Sequence, residues 1–106
     1  MKILTCAKEI EALLTEFRNV LPSLREGRVN IKDFSQKLHD LAVVCVYNDG
    51  ETSKGFAAFY ANDLKNKIAF LTMIAVKEEY RREHIGSKLL NFVELQALKK
   101  GMYSLK

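Results

Sequence analysis

Apolar residues along the chain repeat first at a helical period and later at a strand period. Ile10, Leu13, Leu14, Phe17 and Leu21 fall three or four residues apart, one face of a helix over 6–21 that Thr5 can cap and Pro22 ends. The segment SLREGRV, carrying Gly27, reads as a loop. Asn30 can then cap a second helix, 31–41, with Asp33 three residues on and Ile31, Phe34, Leu38 and Leu41 as its apolar stripe. From Ala42 the pattern changes. The β-branched run AVVCVY ends at the turn signal Asn48-Asp49-Gly50, and a second strand, Gly55 to Ala61, follows a loop of several residues. After the turn NDLKNK, Ile68 to Val76 is apolar at nearly every position, which predicts a strand buried on both faces in the middle of a sheet. A last helix, 85–100, presents Ile85, Leu89, Val93 and Ala97 on one side, with Gly101 just past its end, and MYSL opens a further strand. The order is helix, helix, three strands joined by hairpins, helix, strand, within one domain over residues 1–106.

The junction after Val76 carries the chemistry. A strand feeds the charged turn KEEYRREH into a helix that opens IGSKLL. First-turn amides of a helix have no intrahelical partner and point at whatever sits there. The helix dipole and the guanidinium groups of Arg81 and Arg82 add positive potential at the same spot. A phosphate-bearing ligand is the first expectation.

Composition narrows the choice. With 48% hydrophobic and 28% charged residues the chain is an ordinary globular one. Its net charge of +4 suits an anionic small molecule, and no Lys/Arg block with interleaved aromatics points to nucleic acid. Cys6 and Cys45 lie in apolar company without metal-ligand spacing, so both read as reduced core thiols. The N-terminus lacks a signal-peptide pattern and the longest apolar run is far short of a membrane span, so a cytoplasmic protein free of membrane is expected.

Common phosphate motifs fail on spacing. Gly50 and Gly55 are separated as in a P-loop, but Phe56 and Ala57 stand where Lys and Ser/Thr must reach phosphate and magnesium. No GxGxxG follows a first strand, and no HxxxH or carboxylate cluster suggests a metal.

What the residues resemble is the acyl-CoA-binding segment of the GNAT superfamily of N-acetyltransferases, whose signature Q/R-x-x-G-x-G/A follows a central strand and opens a helix. Here it reads Arg81-Arg82-Glu83-His84-Ile85-Gly86, preceded by IAVKEEY and followed by SKLL. The order of elements from 5 to 105 is similar to the first two-thirds of that fold. The resemblance implies an α/β (α+β) domain with a mixed, mainly antiparallel sheet flanked by helices, lacking the family's C-terminal part. It also implies transfer of an acetyl group from acetyl-CoA to a primary amine. Backbone groups of Ile74 and Val76 would pair with the pantetheine arm, the Ile74 N–H facing the thioester carbonyl. Amides of Arg82, His84, Ile85, Gly86 and Ser87 would hold the pyrophosphate, with the Arg81 side chain assisting.

Two positions depart from the pattern. His84 stands where the family usually has its first glycine, which costs about 1 kcal/mol if the backbone there is left-handed. Glu83 places a negative charge beside an anion, and His84 could add positive charge only below its ordinary pKa of about 6.5. Attack of an amine on a thioester is helped by a base and an acid. The family's usual bases and acids are a Glu on the central strand and a Tyr beyond the equivalent of Lys106. Lys67 to Val76 carries no carboxylate, only Thr72. Tyr60, Tyr80 and Tyr103 match no family position, so no catalytic residue is assigned. A catalytically silent CoA-binding or protein-interaction module with the same fold is the alternative. The half-made strand at Met102 to Lys106 predicts association with a second copy, a homodimer.

Overall fold

The computed structural model describes residues 1–27 and 29–106; Arg28, within the segment read as a loop, lies outside the described residues. A strand β1 (Lys2–Leu4) precedes helix α1 (Ala7–Glu16), a one-turn helix α2 (Pro22–Arg25) and helix α3 (Ile31–Leu41). Strands β2 (Ala42–Asp49), β3 (Thr52–Asp63) and β4 (Ile68–Val76) follow, then a 3-10 turn (Glu78–Glu83), helix α4 (Ile85–Lys99) and β5 (Ser104–Leu105). The sheet order is β1-β2-β3-β4-β5, antiparallel except for the parallel β4–β5 pair. That is the mixed, mainly antiparallel sheet flanked by helices which the family resemblance implies.

The helices form for the reasons legible in their sequences. Asn30 accepts from the Asp33 N–H at 3.0 Å and so caps α3. Gly101 adopts φ 84° past the end of α4, a conformation a side chain would resist. Three expectations need correction. Cys6, not Thr5, is the N-cap of α1, and α1 ends at Glu16, before Pro22. Pro22 instead starts α2, where a missing N–H costs nothing. The β2–β3 connection is a tight turn at Gly50, whose φ of 63° allows it, rather than a loop of several residues.

Two cores sit on opposite faces of the sheet. Ile10, Leu13, Leu14, Phe17, Leu24 and Leu38 pack with Val44, Val46, Phe56, Ala58 and Ala75 on the α1/α3 face. Phe17 meets Phe56 edge-on with ring centroids 5.0 Å apart. On the other face Ile85, Leu89, Val93 and Ala97 of α4 cover Cys45, Ala57, Phe59 and Ala69. Cys45 is buried, and burial pushes its thiol up to about 11. Cys6 is exposed and not a core thiol, because a residue just before a helix N-terminus projects to the surface here.

Strand β4 is where pattern and structure part. Ala58 pairs with Met73 but Phe59 pairs with Leu71, so Thr72 is an extra residue, a β-bulge. The bulge switches faces along β4: Ala75 and Met73 belong to the α1/α3 side, Leu71 and Ala69 to the α4 side. Phe70 is 42% and Ile74 36% exposed, so β4 is not buried on both faces. Strand β5 pairs only with Ile68 and Ala69, which leaves the outer edge of the second half of β4 beside a cleft.

Candidate acyl-CoA site

The ladder between β3 and β4 sets which groups face the cleft. Lys77 N–H donates to the Lys54 carbonyl at 3.0 Å, and hydrogen-bonded pairs alternate along an antiparallel ladder. Counting back, Ala75 and Met73 turn their amides to β3, while Val76 and Ile74 turn theirs to the open edge. The Thr72 bulge puts this stretch out of step with the residues before it. On its far side Leu71 N–H faces outward too, donating to the Lys106 carbonyl at 2.8 Å.

A cleft of about 430 Å³ lies along this edge. It is lined by Ile74, Ala75 and Val76 of β4, by Arg81 and Gly86, and by Val20 and Leu21 from between α1 and α2. Of the residues picked out from sequence, Ile74, Val76, Arg81 and Gly86 therefore line one space. Arg82, His84 and Ser87 are exposed beside it but do not line it, and the Ile85 side chain is buried in the α4 core. Val20 and Leu21 escaped the sequence reading because nothing local distinguishes two apolar residues after a helix from core residues.

The start of α4 is open to an anion. His84 is its N-cap and makes no side-chain cap bond, and the first turn holds no acid. The amides of Ile85, Gly86 and Ser87 thus lack intrahelical acceptors, Lys88 N–H being the first to find one, the His84 carbonyl at 3.2 Å. A Cβ added to Gly86 would meet nothing within 4 Å, so packing does not explain that glycine, whereas close approach of a ligand backbone or phosphate would. These donors and this clearance fit a pyrophosphate-bearing group.

His84 has φ 58° and ψ 29°, the left-handed region. Histidine reaches it more readily than most side chains, yet the strain is about 1 kcal/mol or more. Glu83 does not face the helix start as a free charge. Lys54 Nζ donates to Glu83 Oε1 at 2.8 Å and lies 3.4 Å from Asp49 Oδ2 and 4.8 Å from the Tyr80 ring centroid. The Glu83 carboxylate, and after it Asp49, holds the Lys54 ammonium above its ordinary lysine range. Arg81 is likewise engaged, its Nε donating to the outward Val76 carbonyl at 3.3 Å. Lys77 bonds Glu16 at 2.6 Å and ties the end of α1 to the end of β4.

Gly55 supports the site from behind. A Cβ there would lie 2.9 Å from the Ala75 carbonyl oxygen and 3.2 Å from side-chain atoms of Ile85 and Leu89. The glycine lets α4 approach the sheet closely, a role that a glycine inside a strand signals in sequence. Among the described residues no group of three or more His, Cys, Asp or Glu gathers to hold a metal ion, and no helix is long and apolar enough to cross a membrane.

The fold is a mixed sheet whose outward-turned β4 edge meets an uncapped helix start. The chain belongs to the acetyltransferase (GNAT) family, whose model matches residues 8–106. Several solved structures share its fold. An aminoglycoside acetyltransferase, meta-AAC0020, from an uncultured soil metagenomic sample, solved with sisomicin, superposes with a TM-score of 0.75 at 18% identity over 99% of this chain and 74% of that one. An aminoglycoside 6′-N-acetyltransferase complexed with coenzyme A gives 0.73 at 15% identity over 96% of this chain and 58% of that one. The ribosomal-protein-alanine N-acetyltransferase of Brucella melitensis biovar Abortus 2308 gives 0.70 at 16% identity, over 98% and 74%. No curated protein matches the chain by sequence.

Proposed function

We propose that the chain is an acyl-CoA-dependent N-acyltransferase domain, taking an acetyl group from acetyl-CoA to a primary amine. The observation that carries this reading is the convergence, on one cleft, of the outward Ile74 and Val76 backbone with the uncapped start of α4. Acetyl-CoA supplies the activated acyl group as a thioester. The chain's own part is to bind and orient. Amides of Arg82, His84, Ile85, Gly86 and Ser87 would hold the pyrophosphate, and the Arg81 side chain would add charge. The Ile74 N–H would face the acyl carbonyl, where negative charge grows during transfer. The Val76 N–H is available to the pantetheine arm, whereas pairing with its carbonyl requires Arg81 Nε to leave. The apolar wall of Val20 and Leu21 would exclude water from the acyl end. We place the protein in the cytoplasm, with a second copy as its partner and no part for nucleic acid, membrane or metal.

Calorimetry with CoA and with pantetheine tests the reading. CoA should bind more tightly, with an affinity that weakens as salt is raised. Equal affinity for both ligands would remove the pyrophosphate site. A second reading, a silent CoA-binding or protein-interaction module, is favoured by one observation: β4 and the walls of the cleft carry no carboxylate. Thiol release from acetyl-CoA in the presence of primary amines separates the two. CoA binding without turnover supports the silent module.

A further inference from the structure

An acidic residue inside an anion-binding turn calls for an explanation. Glu83 immediately precedes the left-handed N-cap His84, so an acidic residue stands next to the α4 start in the chain. Its partner comes from the neighbouring strand of the sheet. Lys54 is 29 residues away on β3, its side chain only 13% exposed, bound to Glu83, flanked by Asp49 of β2 and set against the Tyr80 ring. Lysine is rarely that covered unless it is paired.

We propose that Lys54 is a positioning residue for the CoA phosphates: it neutralises Glu83 and ties the 78–83 turn to the β2–β3 hairpin, so that the helix start can accept an anion despite the acidic neighbour. The inference rests on the acyl-CoA reading of the cleft and goes beyond it. The tie also explains how His84 holds a strained backbone, because strain persists where surrounding contacts over-determine it. The turn is fixed on one side by Lys54–Glu83 and on the other by Arg81 Nε to the Val76 carbonyl. Neither contact needs the ligand, so the turn is organised before binding. Such preorganisation lowers the cost of ordering the turn around the phosphates.

The test is a charge cycle on the whole chain, read by calorimetry with CoA and pantetheine in parallel at low salt. Lys54→Met leaves Glu83 uncompensated and should weaken CoA by about two- to fivefold. Glu83→Gln keeps an acceptor for Lys54, removes the negative charge, and should tighten CoA by a factor of about two or more. The double variant should return close to the unaltered affinity, and pantetheine, which lacks the pyrophosphate, should be indifferent throughout. A general packing defect from Lys54→Met would weaken both ligands alike, and that result overturns the proposal. A double variant no better than Lys54→Met does so as well. Should Lys54→Met fail to fold, Glu83→Gln decides alone: CoA affinity unchanged or lowered sinks the idea. Failure of the unaltered chain to bind CoA would sink the acyl-CoA reading itself, and this inference with it. CoA binding that ignores both substitutions would sink only the inference.

Discussion

The two halves of β4 are built differently. Around Val76 the structure is tied down by charge: Lys54 to Glu83, Lys77 to Glu16, and Arg81 to the Val76 carbonyl. Around Ile68 and the facing β5 and α4, the surface is apolar and open, with Leu95 58%, Leu98 57% and Tyr103 74% exposed. Charged ties hold a turn that runs into the left-handed His84 and the uncapped start of α4. An exposed apolar face invites cover. On the proposed reading the first half is organised for an anionic ligand before it arrives, whereas the second exposes apolar side chains that a second copy could cover.

The largest effect to expect is at Gly55. Gly55→Ala places a methyl group 2.9 Å from a backbone oxygen that cannot move cheaply, and should cost about 1–3 kcal/mol in urea unfolding. Because the displaced helix is α4, CoA affinity should fall with stability; a stable variant with unchanged CoA binding would mean that α4 is not seated by this contact. Arg81→Ala comes next. Losing a charged phosphate contact should weaken CoA about tenfold and flatten the salt dependence, with pantetheine much less affected. Equal losses for the two ligands would place Arg81 in the frame of the cleft rather than at the phosphates.

His84→Gly should go the other way. Glycine relieves the left-handed strain and clears the approach to the amides, so CoA should bind severalfold more tightly at pH 8. A clear loss of affinity at that pH would show that the imidazole makes a contact of its own. The smallest effects belong to the open half. Leu95→Glu with Leu98→Glu should change stability by less than about 0.5 kcal/mol and leave CoA binding alone. If the face meets a second copy, the pair should abolish concentration-dependent sedimentation at micromolar protein. An unaltered chain that stays monomeric at those concentrations would remove the contrast between the halves.

Much of this site was legible in the chain. The limits of β4 were read as Ile68–Val76, α4 was placed within a residue, and Ile74, Val76, Arg81 and Gly86 do meet in one cleft. What was not legible is non-local. β1 is three residues whose strand character comes from pairing with Val44–Val46, and nothing in LysIleLeu alone demands it. Lys54 reads as one more surface lysine until the fold brings Glu83 to it.

The sequence by itself determined the amphipathic stripes, the Asn30 cap and the glycine turns at Gly50 and Gly101, because periodicity and backbone preference act over a few neighbouring residues. It also marked the basic helix start, since a motif is local by definition. Only the tertiary structure decided the phase of β4. Pairing with β3 turns the amides of Ile74 and Val76, rather than those of Met73 and Ala75, to the open edge, out of step with Leu71 across the bulge at Thr72. That phase is set by pairing with β3 across a hairpin, and a uniformly apolar strand carries no alternation from which to read it.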